Sequence, residues 1–341
     1  MKIAVVGCGA VGSFYGAKLG RAGHEVHFLL RSDYDVVRRE GVVVRSIHGD
    51  FHVRPHCAAH PEEIGVSELV LIGLKTTANE QFPRLLPPLV GPGTAVMTLQ
   101  NGLGNEELLA QLFPASQILG GLCFVCLNRV APGVIQHTDH GLVVIGEFQG
   151  RAAPRTHALA AMFRAAAVEC GITNDLRRAH WEKLVWNIPF NGLGVAGTAG
   201  YEAVIGGHLQ PGQALGPVLT TDLLLAEPRW QKLLRDLMLE VIAAARGLGL
   251  EIPDTCAEEN LTRTRTMGAY KASTLLDFER ARPLELQSLF GEPLRQARHA
   301  GVATPRLAAL CALLEQVHRT SPAEKQAEKG REKSCLSRVT P

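Results

Sequence analysis

Short apolar runs alternate with helix-like stretches over about the first 150 residues of the chain. The pattern predicts helices at residues 13–22 and 105–113, and strands at residues 2–6, 25–30, 66–74, 94–99 and 117–127. Strands that alternate with helices in this way are typical of βαβ units, whose strands run parallel in one sheet. We therefore predict an α/β fold that begins with a doubly wound, mostly parallel sheet.

The second half of the chain carries apolar residues at helical spacing instead. Before it, Pro132 and Gly133 break the chain, and residues 133–146 are typical of strands around a turn at Asp139, His140 and Gly141. From about residue 156 onward the pattern predicts helices at 158–167, 230–248, 283–300 and 305–318. Six glycines and a proline within residues 197–216 predict a long mobile loop between them.

These two patterns divide the chain into two predicted domains, which suits a length of 341 residues. We place the boundary at residue 175, so that residues 1–175 form the sheet domain and residues 176–320 form an all-α domain. Residues 321–341 are rich in Lys and Glu and nearly free of large apolar side chains, so we expect a disordered tail.

Charge and hydropathy exclude several classes of protein. Lys plus Arg is 35 and Asp plus Glu is 33, a net charge of +2 (35 − 33). This balance argues against binding of nucleic acid or a membrane surface, since both need a concentrated basic face. No apolar run reaches the ~18–20 residues that cross a bilayer. The first strand-like run begins at the N-terminus without a signal peptide, so we expect a cytoplasmic protein.

Eight cysteines are scattered along the chain, and we expect neither disulfides nor a bound metal. Cys123 and Cys126 form a CxxC pair, but zinc needs four ligands and no second pair stands at a matching distance. The pair is either two buried thiols, which is the usual case, or a structural or redox element.

A G-x-G-x-x-G pattern stands between the first predicted strand and the first predicted helix, on Gly7, Cys8, Gly9, Ala10, Val11 and Gly12. The first glycine permits a tight turn, the second lets the backbone approach a pyrophosphate, and the third lets the helix pack closely on the strand. The helix N-terminus then offers N–H groups to the phosphates. A plain glycine-rich turn is the alternative, but the βαβ context favours a Rossmann-type nucleotide-binding domain.

The end of the second predicted strand bears on which nicotinamide nucleotide binds. An NAD site usually presents an acidic group there to the ribose 2′-hydroxyl. This strand ends in Arg31 and Ser32, whose side chains can bind a 2′-phosphate, while Asp33 competes from two positions after Arg31. We predict NADP(H); the alternative role of Arg31 is that of a solvent-exposed surface cation.

Residues 181–191 present two stripes if they form a helix. One is polar, because Lys183, Asn187 and Asn191 stand four residues apart and share a face. The other is an apolar core stripe of Trp181, Leu184, Val185 and Ile188. One ammonium and two carboxamides on one face can hold a small anion with several oxygens. The alternative is a solvated lysine with two helix-end asparagines. Pro189 predicts a kink or a looser turn.

Other polar residues follow predicted strands, where ligands of doubly wound sheets bind. Lys75 follows the run that ends at Leu74, and Asn101 follows the next strand. Their alternative is ordinary loop chemistry, since Asn-Gly is a common turn pair. Ser273, Asp277 and Glu285 lie in and after a later polar connection. Glu285 follows Pro283, so it could simply stabilise the first turn of a helix.

Taken together, these residues resemble the ketopantoate reductase (2-dehydropantoate 2-reductase) family over nearly the whole chain, up to about residue 318. The order and spacing of the pieces carry the resemblance, since no one piece is decisive. The pieces are residues 7–12, Arg31, Lys75-Thr76, residues 100–102, residues 133–135 with His137, residues 183–191, the Ser273, Asp277 and Glu285 segment, and residues 301–305.

The resemblance implies an NADP-dependent oxidoreductase that reduces the 2-oxo group of 2-dehydropantoate to (R)-pantoate, in pantothenate biosynthesis. It implies that Lys183 is the general acid. Substrate contacts are implied at Asn101, Asn187, Asn191 and Ser273. Cofactor contacts are implied at residues 7–12, Arg31, Lys75, Asn101 and Glu285, the last an acidic residue at the active-site cleft.

The chain departs from the usual family pattern at three places. Thr274 follows Ser273 where Met is frequent, residues 284–291 differ, and residues 197–216 look inserted. A reductase of a different 2-oxo acid is therefore one alternative, and a non-catalytic NADPH-binding regulator is another. The expected partner is a small 2-oxo acid. A homodimer stays open, because apolar helices of the second domain can bury a dimer interface or pack within one chain.

Overall fold

The computed structural model describes residues 1–320, and the chain divides into two compact units. The first unit is Met1–Ala179, and the second begins at His180. The boundary between the two units falls within the helix Leu176–Ala196. The tail expected at 321–341 lies outside the described residues.

One sheet of ten strands organises the first unit. The strands are β1 (Lys2–Val6), β2 (Glu25–Leu29), β3 (Val42–Ser46), β4 (Phe51–Val53), β5 (His56–Ala58), β6 (Leu69–Ile72), β7 (Ala95–Thr98), β8 (Ile118–Ala131), β9 (Val134–Glu147) and β10 (Cys170–Ile172). Their order is β4-β3-β9-β8-β7-β6-β1-β2-β5, with β10 beside β9. The six parallel strands β5-β2-β1-β6-β7-β8 have the strand order of Rossmann folds. The predicted fold class is confirmed.

Helices cover both faces of this sheet. They are α1 (Ala10–Arg21), α2 (Tyr34–Glu40), α3 (Pro61–Ile64), α4 (Phe82–Leu85), α5 (Asn105–Ala110) and α6 (Pro154–Ala165). Ile3 and Val5 belong to one buried cluster with Phe14 of α1, whereas Ala4 and Val6 belong to a second cluster with side chains from α4. Because β1 is covered on both faces, its sequence is a continuous apolar run instead of an alternating one.

The sequence prediction missed β3, β4, β5 and β10, and it placed a turn wrongly inside β9. The missed strands have three to five residues each, and β4 and β5 carry polar side chains at partly exposed edges. β9 runs unbroken from Val134 to Glu147, and its register against β8 shifts at Thr138 and Gly141. His140 has φ 60° and Gly141 has φ 138°. The same residues that suit a turn here form a β-bulge.

His137 holds this bulge together. Its Nε2 donates to the carbonyl oxygens of Asp139 (3.1 Å) and His140 (2.9 Å), and its Nδ1 lies 2.8 Å from Ser46 Oγ. Burial lowers the pKa of His137, and the two carbonyl contacts offset only part of that effect. The lowered pKa favours the neutral ring, which these hydrogen bonds hold in place.

The second unit consists of helices and connecting segments as far as Thr320. The helices are α7 (Leu176–Ala196), α8 (Tyr201–Gly206), α9 (Thr221–Ala226), α10 (Pro228–Gly247), α11 (Thr255–Thr264), α12 (Ser273–Glu279), α13 (Glu292–His299) and α14 (Pro305–Thr320), with a π-helical turn at Gln287–Gly291. The apolar stripe of α7 is buried as predicted. No helix within residues 1–320 has both the length and the hydropathy that a bilayer span needs.

The segment predicted as one long loop at 197–216 is partly helical. Gly197–Ala199 forms a 3₁₀ turn, and α8 follows it, with Tyr201 packed edge-on against Trp230 at 5.0 Å. Gly200 (φ 84°) and Gly207 (φ 67°) lie at the two ends of α8. These glycines therefore mark helix ends where a positive φ is needed, and the prediction of a loop was wrong there.

Candidate active site

The three glycines of the G-x-G-x-x-G loop have different surroundings. Gly7 has φ 94°, and a Cβ on it would lie 2.3 Å from the backbone nitrogen of Leu74. A Cβ on Gly12 would lie 2.3 Å from the carbonyl oxygen of Gly7. A Cβ on Gly9, by contrast, would have no described atom within 4 Å outside its chain neighbours. Packing thus requires Gly7 and Gly12, whereas Gly9 leaves open space above the backbone.

This open space lies at the start of α1, where Gly9 is the N-cap. The N–H groups of the first helical turn have no carbonyl partner within the helix, and the helix dipole adds partial positive charge there. A nucleotide pyrophosphate fits this cradle, because the missing side chain at Gly9 lets a phosphate approach the backbone N–H groups closely. Cys8 is turned inward, with Sγ 3.5 Å from the carbonyl oxygens of Val5 and Leu29.

Arg31 and Asp33 follow β2 but differ in exposure. Arg31 is exposed, whereas the Asp33 side chain is only 8% exposed. Arg129 Nη1, on β8, lies 2.6 Å and 2.5 Å from the two carboxylate oxygens of Asp33, and Ser32 Oγ donates to Oδ1 at 2.9 Å. Burial alone would raise the pKa of Asp33, but the hydrogen bonds from Arg129 and Ser32 outweigh it and lower the pKa. The hydroxyl proton of Ser32 is thus used by Asp33.

A chain of side-chain amides connects the ends of β6 and β7. Gln100 Nε2 donates to Asn79 Oδ1 (2.7 Å), and Asn79 Nδ2 donates to Asn105 Oδ1 (2.9 Å). Asn105 Nδ2 then donates to the carbonyl oxygen of Asn101 (3.3 Å). Gln100 and Asn105 are 5% and 1% exposed, so this chain is inside the protein. It fixes the loop that carries Asn101, while the exposed Lys75 begins the 3₁₀ turn that carries Asn79.

In the second unit, α7 carries the predicted polar stripe. Lys183 is half-buried, and Asn187 and Asn191 are 8% and 2% exposed. Asn191 Oδ1 accepts from the backbone N–H of Thr274 at 3.0 Å and lies 3.4 Å from Ser273 Oγ. The first turn of α12 is therefore capped by a side chain from α7. Since Oδ1 is used in this way, the Nδ2 amide hydrogens are what Asn191 can offer to a ligand.

Glu285 stands just before the π-helical turn, and it is 6% exposed. The predicted helix at 283–300 begins later than expected, because residues 282–285 are not helical. Glu285 therefore precedes the helix, although its carbonyl oxygen accepts from the Leu289 N–H at 3.2 Å. Asp277 lies on α12, with Oδ1 3.9 Å from Arg282 Nη1.

The CxxC pair lies on β8, where residues three apart point to opposite faces of the sheet. Cys123 and Cys126 are accordingly not joined to each other in a disulfide. Burial raises the pKa of the neighbouring Cys170 thiol to about 11. Within residues 1–320, no group of three or more His, Cys, Asp or Glu side chains is arranged to hold a metal ion.

Comparison with known proteins agrees with this geometry in both units. The family model described as ketopantoate reductase PanE/ApbA matches residues 3–150, and the model of the C-terminal part of that family matches residues 175–318. The chain belongs to the ketopantoate reductase family. The resemblance seen in the sequence is thereby confirmed.

Individual relatives of this ketopantoate reductase family member align over most of its length. A 2-dehydropantoate 2-reductase from Nostoc sp. is 38% identical over 313 residues, which cover 90% of this chain and 92% of that protein. A crystal structure of 2-dehydropantoate 2-reductase from Geobacter metallireducens GS-15 is 46% identical, with a TM-score of 0.85 over 93% of this chain and 99% of that chain. The enzyme from Methylococcus capsulatus is 32% identical, with a TM-score of 0.81 and coverage of 93% and 96%.

Sequence reasoning missed three residues that shape these sites in the ketopantoate reductase fold. Asn79 and Asn105 complete the amide chain behind Asn101, and Arg129 pairs with Asp33 from 96 positions away. No spacing rule connects such distant positions. For Asn79 and Asn105 a signal could have come from the strand order, which brings β6 beside β7.

Proposed function

We propose that the protein reduces the 2-oxo group of 2-dehydropantoate to pantoate with NADPH, as the names of its relatives suggest. Family membership makes it an oxidoreductase acting on CH–OH groups. The observation that carries the proposal is the polar stripe of α7, where a half-buried Lys183 shares a face with the buried Asn187 and Asn191. Asn191 connects this stripe to Ser273 and Thr274. A lysine beside buried amides is suited to an oxygen-rich anion and not to an apolar ligand. The cytoplasmic location that the sequence predicts is part of this proposal.

The first unit would hold the nucleotide. Backbone N–H groups of residues 9–12 would bind the pyrophosphate, and Arg31 would bind the 2′-phosphate with its exposed guanidinium. Lys75 and Asn101, which follow β6 and β7, would contact the remainder of the cofactor. When bound, NADPH supplies the hydride that reduces the C2 carbonyl.

The second unit would supply the proton and hold the substrate. As hydride reaches C2, negative charge develops on the carbonyl oxygen, and Lys183 Nζ would stabilise that charge and donate the proton. Ser273 would orient the substrate carboxylate. Asn187 and the Nδ2 group of Asn191 would donate to the other oxygens. Glu285, buried at the end of the segment that follows α12, would complete the polar surroundings.

Substitution of Lys183 by Ala tests this assignment. We expect kcat for NADPH oxidation with 2-dehydropantoate to fall about 10³-fold, the usual contribution of a general acid. NADPH affinity, measured by fluorescence titration, should stay within about twofold, since the nucleotide loop is in the other unit. The control is Lys232→Ala, which removes an exposed lysine paired with Asp236 and should change neither quantity. An unchanged kcat in Lys183→Ala would show that Lys183 is not the acid.

A further inference from the structure

Asp33 stands where a nucleotide-binding domain of this type can place an acidic group that selects NADH. It follows Arg31 by two positions and precedes α2. A free carboxylate here would accept a ribose 2′-hydroxyl and would repel a 2′-phosphate.

We propose that Arg129 is a specificity-determining residue, because it binds the Asp33 carboxylate and so keeps the site selective for NADPH. The inference rests on the proposed preference of the protein for NADPH. Arg129 belongs to β8, near its hairpin connection to β9, far along the chain from the nucleotide motif. Nucleotide selection would then depend on a residue that lies outside the βαβ unit that carries Arg31.

The geometry leaves the carboxylate little capacity for a ligand. Arg129 Nη1 contacts both oxygens, at 2.6 Å and 2.5 Å, and Ser32 Oγ contacts Oδ1 at 2.9 Å. The backbone N–H of Gly133 adds a contact to Oδ2 at 3.4 Å. A ribose hydroxyl would have to displace one of these donors. The paired charges also cancel, so a 2′-phosphate on Arg31 would meet little repulsion from Asp33.

Removal of Arg129 should release Asp33 and shift the selectivity. We would measure the dissociation constants of NADPH and NADH by fluorescence titration, without any substrate. In Arg129→Met, the ratio of NADH to NADPH dissociation constants should fall about 10- to 100-fold, through weaker NADPH and tighter NADH binding. Arg129→Lys, which keeps one cation, should retain most of the wild-type ratio.

A second substitution separates this effect from simple loss of structure. In the double variant Arg129→Met with Asp33→Asn, the released negative charge is absent, so the NADPH preference should return to within about threefold of wild type. A general disturbance of the loop would not be reversed by that change. If the double variant binds like Arg129→Met alone, the inference is overturned.

The Arg155–Glu147 pair offers a matched control in the same unit. Its side chains are 32% and 7% exposed, against 31% and 8% for Arg129 and Asp33. Arg155→Met should lower the stability in a similar way and leave the nucleotide ratio unchanged. A wild-type protein that prefers NADH would refute the proposed cofactor. A wild-type protein that prefers NADPH, with the same ratio in Arg129→Met, would refute only the role of Arg129.

Discussion

The nucleotide loop of the first unit and the polar stripe of the second are built in opposite ways. The loop is six consecutive residues, and the backbone contacts of Gly7 and Gly12 dictate their identity. The stripe is one face of α7, and its Asn191 is bonded to residues more than 80 positions later. The geometry of the glycine loop is determined by its own six residues. The geometry of the polar stripe depends on contacts with residues far along the chain, which no short sequence pattern predicts.

Changing Gly9 and Gly12 to Ala in turn should give the largest effects and should separate ligand binding from packing within the loop. Gly9→Ala should fold normally, since its Cβ enters open space, but NADPH affinity should fall about 100-fold because the phosphate loses close approach. Gly12→Ala should lower Tm or prevent folding, because its Cβ would lie 2.3 Å from Gly7 O. Thermal melts and nucleotide titrations measure both. Normal NADPH binding by Gly9→Ala would show that the pyrophosphate does not bind at this loop.

In the second unit, Asn191 has two functions that two variants can separate. Asn191→Ala should lose the cap on Thr274 and the donor to substrate, so kcat/KM should fall about 30-fold and Tm should fall as well. Asn191→Asp keeps the acceptor and should keep Tm, but it should lose activity, since a carboxylate repels an anionic substrate. Steady-state kinetics and melts measure this. An active Asn191→Asp variant would show that Asn191 does not donate to the substrate and that its role is purely structural.

The amide chain behind Asn101 should give a smaller effect. Asn105→Ala breaks the contact to the Asn101 carbonyl, and we expect kcat to fall about 5-fold with little change in NADPH affinity. Asn79→Ala should act through the same chain, so the double variant should be no worse than about 10-fold. Multiplicative effects in this double-mutant cycle would show that the two residues act independently.

The Asp33–Arg129 pair should also make the stability of the protein depend on pH. Hydrogen bonds from Arg129 and Ser32 lower the pKa of Asp33 against the opposing effect of burial. The stabilisation is therefore complete above the ordinary Asp pKa of about 4 and is lost as the pH falls through the lower folded value. Asp33→Asn should be less stable than wild type by about 1–2 kcal/mol at neutral pH, because solvent at the partly exposed Arg129 weakens the ion pair.

Urea unfolding of both proteins across the acidic range would show whether this difference closes at low pH. A difference that stays constant with pH would mean that the charge of Asp33 contributes nothing to folding, and that the pair is held by packing alone.

Sequence patterns predicted the parts of the molecule whose physical cause is local. Periodicity and spacing predict five of the six strands in the parallel order (β1, β2, β6, β7 and β8), the glycine loop and the two stripes of α7. The errors arose where one pattern suits two structures: Asp139-His140-Gly141 suits a turn or a bulge, and glycines such as Gly200 suit a loop or a helix end. The pairing of Asp33 with Arg129 and the chain through Asn79 join segments that are far apart in the sequence, so no local pattern could show them.

The most direct measurement follows NADPH absorbance while the purified protein is offered 2-dehydropantoate and a panel of other 2-oxo acids, one at a time. We expect oxidation of NADPH with 2-dehydropantoate, at a kcat/KM at least about tenfold above that of any other acid, a difference of about 1.4 kcal/mol in the barrier. Faster turnover of another 2-oxo acid would contradict the proposed substrate. Tight NADPH binding without turnover of any acid would contradict the enzyme assignment itself.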